Sequence, residues 1–214
     1  MQSLPAQQPR ESAAQWLHRS GTGTNSPRLR RTQFLARSGA HLWRVALYGQ
    51  RLAQKKAAEL PELTTTLLEP APSDPTATAL ELDELWSFVL KKSRKRWIWI
   101  ALCRQTRQVV AYLIGDRSEQ SCRQLWERIP EPYRQGHCYT DFWAAYQNVI
   151  PAAQHTPCGK ESGLTAHVER WNNTLRQRLA RFVRKTLSFS KSERMHEICL
   201  RLFLHRYNLS RRPT

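Results

Sequence analysis

Three acids in this chain have the surroundings that metal-assisted phosphate chemistry needs. Glu169 is the single carboxylate in the stretch His167-Val168-Glu169-Arg170-Trp171-Asn172-Asn173-Thr174-Leu175-Arg176, at the head of a strongly basic C-terminal region. Asp83 and Asp141 lie upstream, the first inside an apolar run and the second after a short one. Three carboxylates brought together repel one another, and a divalent cation relieves that repulsion through oxygen ligands. Mg²⁺ suits such a set, because it accepts a few carboxylates and keeps water and phosphate in its other positions. Two ions about 4 Å apart would activate a hydroxyl nucleophile and stabilise the leaving oxygen of a phosphodiester. The chemistry to expect is polynucleotide transfer.

Each acid also has a purely structural reading. Asp83 fits either a metal site or the polar face of a strand beside Glu81. Glu81 and Glu84 compete for its role, and strand alternation puts Glu84 on the face opposite Asp83, so that only one of those two should face a site. Asp141 ends a strand at the carboxyl edge of a sheet, where α/β proteins place ligands, but it would equally cap a helix starting at Phe142. Glu169 near a helix N-terminus is also what the helix dipole favours. Glu169 and Arg176 are seven residues apart and so share a helical face, with Asn172 and Asn173 between them. His155 and His167 are near enough in sequence to invite a metal role but read first as ordinary polar or nucleic-acid-facing side chains, and Trp143 and Trp171 as core before base-stacking groups.

The elements that would carry these residues are legible as pattern. Residues 80–90 alternate as a strand, while 96–103 and 109–114 are β-branched and aromatic runs with short polar turns between them, an antiparallel meander. Ser118 offers an N-cap to a helix stopped by Pro130. Residues 137–140 form a short strand ending at Asp141, followed by helical spacing from Phe142 to Pro151 and a further short strand over 154–157. Helices over about 166–185 and 192–209 close the chain, the first with Val168, Trp171, Leu175, Leu179 and Phe182 as its apolar stripe. The order β-β-β-α-β-α-β-α predicts an α/β fold. Upstream, residues 1–52 lack sustained periodicity and predict a poorly structured extension. Residues 53–79 predict the end of a helix over 42–60, stopped by Pro61, and a linker carrying Pro70, Pro72 and Pro75. Residues 80–214 form the main domain.

Charge narrows the partner. The 214-residue chain has a net charge of +17, far beyond what solubility requires, which points to a polyanion. Basic and acidic residues number ten and five over residues 1–79, twelve and nine over 80–163, and twelve and three over 164–214. The excess is concentrated in the last quarter. Five scattered cysteines with no C-x-x-C pair argue against a disulfide framework or zinc ribbon and for a reducing compartment. No apolar run suits a signal peptide or a membrane span, so a cytoplasmic protein is expected.

Leu82-Asp83-Glu84-Leu85-Trp86, Thr140-Asp141-Phe142-Trp143-Ala144-Ala145-Tyr146, and His167-Val168-Glu169-Arg170 through Arg184-Lys185-Thr186-Leu187-Ser188-Phe189-Ser190-Lys191 resemble the catalytic part of the insertion sequence one transposases. The resemblance runs from about residue 54 to the C-terminus. It implies a prokaryotic DDE transposase with a ribonuclease-H-like mixed sheet of about five strands flanked by helices. Asp83, Asp141 and Glu169 would be its catalytic, metal-binding triad, holding two Mg²⁺ ions for which Mn²⁺ can substitute. Water would cut the element's end, and the 3′-hydroxyl so exposed would attack target DNA. Arg176 matches the position of a DNA-contacting basic residue, and Asn173, Arg181, Arg184, Lys185 and Lys191 are further candidates for phosphate contact. Element ends and target DNA are the implied partners, with a homo-oligomer associated with the nucleoid. The family's N-terminal cysteine motif and helix-turn-helix are not recognisable in residues 1–52, which raises the hypothesis that this segment derives from another reading frame. Translating the other frames tests it, and failure to find the cysteine motif there would sink it. Two other functions share these features: a ribonuclease-H-like nuclease without strand transfer, and a non-catalytic DNA-binding remnant.

Overall fold

The computed structural model describes residues 48–70, 76–183 and 185–213. Most of the expected N-terminal extension, Pro72 and Pro75 of the expected linker, and the candidate phosphate contact Arg184 lie outside the described residues.

The alternating run and the two β-branched and aromatic runs form an antiparallel meander, β1 (Leu80–Phe88), β2 (Lys95–Cys103) and β3 (Val109–Gly115). β1 and β2 pair along their full length, from Leu80 opposite Cys103 to Phe88 opposite Lys95. β4 (Cys138–Thr140) then pairs parallel to β1, and β5 (His155–Pro157) parallel to β4. The sheet order is β3-β2-β1-β4-β5. Five strands in this mixed order, flanked by helices, give a ribonuclease-H-like α/β fold.

Both faces of the sheet are covered, which is why the central strands are apolar on both sides. Leu80 and Leu82 pack with Cys122 and Leu125 of α2 (Glu119–Arg128) and with Ala145 and Tyr146 of α4 (Ala144–Val149), on either side of the single turn α3 (Glu131–Arg134). Leu85, Ile98 and Ile100 pack on the other face against Val168, Trp171 and Leu175 of α5 (Ala166–Arg178) and Leu200 and Leu204 of α6 (Glu193–Leu209). The helix over residues 48–58, α1, sets Ala53 and Ala57 against Met195 and Ile198 of α6. Ser118 caps α2 as expected, and Ser192 caps α6 in the same way. The Ser118 hydroxyl accepts from the Ser121 amide and the Ser192 hydroxyl from the Met195 amide, each at 3.2 Å.

Several expected boundaries move, four of them for a visible reason. The strand expected through Leu90 stops at Phe88, because Leu90 takes the left-handed conformation at φ 66° in the turn to β2. The last short strand begins at His155, since Gln154 belongs to a preceding 3₁₀ turn. The helix expected from Phe142 begins at Ala144, since the Asp141 carboxylate draws the Trp143 amide into a turn first. The helix expected to reach residue 185 ends at Arg178; Leu179 is extended at φ −123° and ψ 96°, and a 3₁₀ turn, Ala180–Phe182, follows. Phe182 is thereby delivered to the core, 4.6 Å from the His196 ring. Burying a phenyl group is worth about 1.5–3 kcal/mol, more than one further turn of a modest helix former offers.

Candidate active site

Asp83, Glu84 and Asp141 each place a carboxylate oxygen within 4.8 Å of the others. They meet because β4 is so short. It pairs with β1 only at Leu80 and Glu81, and beyond that point the chain turns away at Asp141 while β1 runs on. Asp83 and Glu84 leave β1 on opposite faces, as the alternation requires, yet both reach the edge that β4 has vacated. The expectation that only one of them could face the site is corrected by this open edge.

Each of the three is held differently. Asp83 Oδ2 accepts from Asn172 Nδ2 of α5 at 2.6 Å, and its Oδ1 accepts from the Glu84 amide at 2.8 Å. Burial lifts the Asp83 carboxyl to about 7, with the charges of Glu84, Asp141 and Glu169 pushing the same way. Glu84 is buried among donors: Arg117 Nε and Nη2 approach its Oε1 at 2.7 and 2.5 Å, and Tyr146 Oη donates to its Oε2 at 2.9 Å. Burial still raises its pKa, and the Asp141 charge adds to the effect. Asp141 Oδ1 accepts from the Trp143 amide at 2.9 Å in a turn that precedes α4, whose N-cap position is Trp143, so Asp141 does not cap the helix as the sequence suggested.

Glu81, the other rival, is removed from the cluster. Its side chain is fully buried, and Oε2 accepts from the His167 and Val168 amides at 2.9 Å each, in the first turn of α5. Arg104 pairs with its Oε1 at 3.0 Å and His167 Nδ1 lies 3.3 Å from the same oxygen. A carboxylate on orphan helix amides complements the dipole. Glu81 therefore fixes the start of the helix that carries Glu169.

Glu169 projects from α5 into the same cleft, whose volume is about 640 Å³. It is half-buried, and Thr165 Oγ1 donates to it at 3.4 Å. Among the described residues it stands outside the close group of three, though its charge is felt at Asp83. Asn173 and Arg176 also line the cleft. Arg181, Lys185 and Lys191 do not; Lys185 and Lys191 are exposed, and the Lys191 ammonium lies 3.7 Å from the centre of the Phe189 ring. His155 shares a 2.8 Å hydrogen bond with Thr140, and burial and His137 lower its pKa. Trp171 is core, at 2% exposure. Trp143 lies half-buried under the Arg117 guanidinium.

Sequence reasoning missed the convergence of Glu84 with the two aspartates, and it missed Arg117 altogether. The available signal was Asp116-Arg117-Ser118, a basic residue between a strand end and a helix cap, which reads as a turn. The donor set suits a hard divalent cation: every candidate ligand is a carboxylate oxygen, and burial together with the neighbouring acids, which raise the Asp83 pKa, disfavours the charged carboxylate that such a cation would stabilise.

The sheet order and the acidic cleft at the β1–β4 edge define a ribonuclease-H-like protein with a carboxylate-lined site. A family model described as IS1 transposase matches residues 77–209. The chain is similar to insertion element iso-IS1n protein InsB of Shigella dysenteriae, 38% identical over 131 residues that make up 61% of this chain and 97% of that protein. It is also similar to insertion element IS1 4 protein InsB and insertion element IS1 2 protein InsB of Escherichia coli (strain K12). Each is 36% identical over 137 residues, 64% of this chain and 78% of the relative. The chain belongs to the IS1 transposase family. Among its described residues no helix is long and apolar enough to cross a membrane.

Proposed function

We propose that this chain is a DDE transposase that cuts DNA at the ends of an insertion sequence and joins the resulting 3′-hydroxyls to target DNA. The observation that carries the reading is the meeting of Asp83 and Asp141 oxygens within 4.8 Å, in a cleft also lined by Glu169 and Arg176. Asp83, Asp141 and Glu169 are the residues that would hold divalent metal, two Mg²⁺ ions or Mn²⁺ in their place. Bound there, the metal supplies activation of a hydroxyl nucleophile and stabilisation of the leaving oxygen. The chain's own residues do the positioning. Asn172 orients the Asp83 carboxylate, and Glu81 fixes α5 so that Glu169 and Arg176 enter the cleft on the same helical face. Asn173 and Arg176 meet phosphate in the cleft, and Arg181, Lys185 and Lys191 extend the basic surface beyond it. The substrates on this reading are element ends and target DNA, and the working form is a homo-oligomer.

The test is a strand-cleavage and strand-joining assay with Mg²⁺ or Mn²⁺ on DNA carrying the element ends. Asp83→Asn, Asp141→Asn and Glu169→Gln should each lower both steps by roughly a thousandfold or more, as for residues acting as one unit. Hydrolysis without joining would favour a nuclease, and metal-dependent cleavage that survives in all three variants would remove the triad.

A further inference from the structure

Arg117 is held more firmly than a counter-ion needs to be. Its guanidinium lies 4.0 Å from the centre of the Trp143 ring and 4.8 Å from that of Trp97, while Nε and Nη2 are spent on Glu84 Oε1. Glu84 has its other oxygen occupied by the buried Tyr146 hydroxyl. The two partners differ in exposure. The Glu84 side chain is 2% exposed, whereas that of Arg117 is 36% exposed and lines the cleft with Asp83 and Asp141. A guanidinium has five donors in a rigid fork and stacks on aromatic faces. Clamped in this way, Arg117 keeps a fixed positive charge beside the carboxylates and cannot swing away to solvent.

We propose that Arg117 is a phosphate-binding residue for the DNA strand in the cleft, and that Glu84 is its positioning residue rather than a metal ligand. This rests on the reading of the cleft as the site of DNA chemistry. Glu84 has its charge met by a paired guanidinium and its side chain closed off at 2% exposure, whereas no cation is paired with Asp83 among the described residues, so the ion is left to Asp83, Asp141 and Glu169. The wall opposite α5 then carries its own phosphate contact, and a strand lying in the cleft is gripped from both sides, by Arg176 and by Arg117.

The experiment measures binding of a short mixed-sequence DNA duplex by fluorescence anisotropy, in chelator and across a salt series, beside Mn²⁺ titration by electron spin resonance without DNA. Arg117→Gln should reduce the slope of log affinity against log salt by about one. Arg117→Lys should keep the slope but bind more weakly, because the charge stays and the fork is lost. Glu84→Gln, which is close in shape and keeps the Tyr146 bond, should weaken DNA binding while Mn²⁺ binding stays as in the unaltered chain; Asp83→Asn should remove Mn²⁺ binding. Thermal melts confirm that each variant is folded, and Arg117→Lys carries the test if Arg117→Gln is not. An unchanged salt slope in Arg117→Gln, or loss of Mn²⁺ binding in Glu84→Gln as severe as in Asp83→Asn, would overturn the proposal and leave the transposase reading standing. Failure of the unaltered chain to bind DNA would overturn both.

Discussion

Asn172 Nδ2 donates to Asp83 Oδ2 at 2.6 Å, so the central strand and the helix that carries Glu169 are joined by a hydrogen bond inside the cleft. A hydrogen bond to a charged group is worth about 1.5–3 kcal/mol. On the proposed reading of Asp83 as a metal ligand, Asn172→Ala should cut single-turnover strand cleavage by about 10- to 100-fold, the usual cost of losing a partner that orients such a ligand. Asn172→Asp should do worse, because it adds another negative charge to a crowded group of acids. Cleavage rates measured across Mg²⁺ concentration check this; a rate unchanged in Asn172→Ala would show that Asp83 is held by other means.

Glu81 should matter for stability before it matters for chemistry. Glu81→Ala strips two α5 amides of their acceptor and leaves Arg104 and His167 without their carboxylate. Removing one member of a buried pair of this kind costs roughly 3 kcal/mol. Glu81→Gln keeps an acceptor for the amides and should cost less. Urea unfolding midpoints for the two variants give the comparison, and equal losses would argue that charge, not the amide contacts, dominates.

His196 gives the fold an acid-sensitive element. Burial and the charges of Arg181 and Arg96 bring its pKa down to about 4, with Nδ1 and the Ser190 hydroxyl 2.7 Å apart. The folded state therefore prefers the neutral ring, and the unfolded chain takes up the proton first. Its contribution is fully present above pH ~6.5, the unfolded value, and is lost as pH falls from there through about 4, for a total of roughly 3 kcal/mol. Unfolding free energies of the unaltered chain and of His196→Gln, compared across this window, should converge toward the acid end.

Metal should stabilise the chain by mass action. At a Mg²⁺ concentration 100 times the dissociation constant, the gain is about 2.7 kcal/mol. The melting temperature should rise accordingly in the unaltered chain, fall back with chelator, and respond little in Asp141→Asn. An equal rise in that variant would place the ion elsewhere.

The exposed lysines of the C-terminal basic segment are testable singly. Lys185→Ala and Lys191→Ala should each reduce the salt slope of DNA binding by about one if they meet phosphate. Lys191 is also packed against Phe189, so Phe189→Leu should loosen it and weaken binding without changing the slope. Slopes unchanged in both lysine variants would remove these two lysines from the phosphate contacts.

What could be read from the sequence follows the range of the forces involved. The meander was legible because alternating, β-branched and aromatic runs and their turns are local signals, and so was Ser118 as a cap. The end of α5 was not, because Leu179-Ala180-Arg181-Phe182 is locally acceptable as helix and the break is set by Phe182 packing on His196. In the candidate site, Asp83 was separable from Glu84 by alternation, but their convergence depends on where a different strand, β4, stops. Glu81 could not be told from a ligand by its neighbours in sequence, since its partners lie 86 and 87 residues away.

The edge of β1 that β4 leaves open is taken up again at its far end. Val89 bridges in parallel to Ser190, and the Leu90 amide donates to the Ser190 carbonyl at 2.8 Å. Ser190 belongs to the basic segment and is itself fully buried. Asp83 and the segment read as holding DNA are thus fastened to one continuous rod of backbone, Asp83 part-way along it and the basic segment at its tip. On the proposed reading, the span between the phosphates gripped outside and the phosphodiester under attack is set by the strand itself.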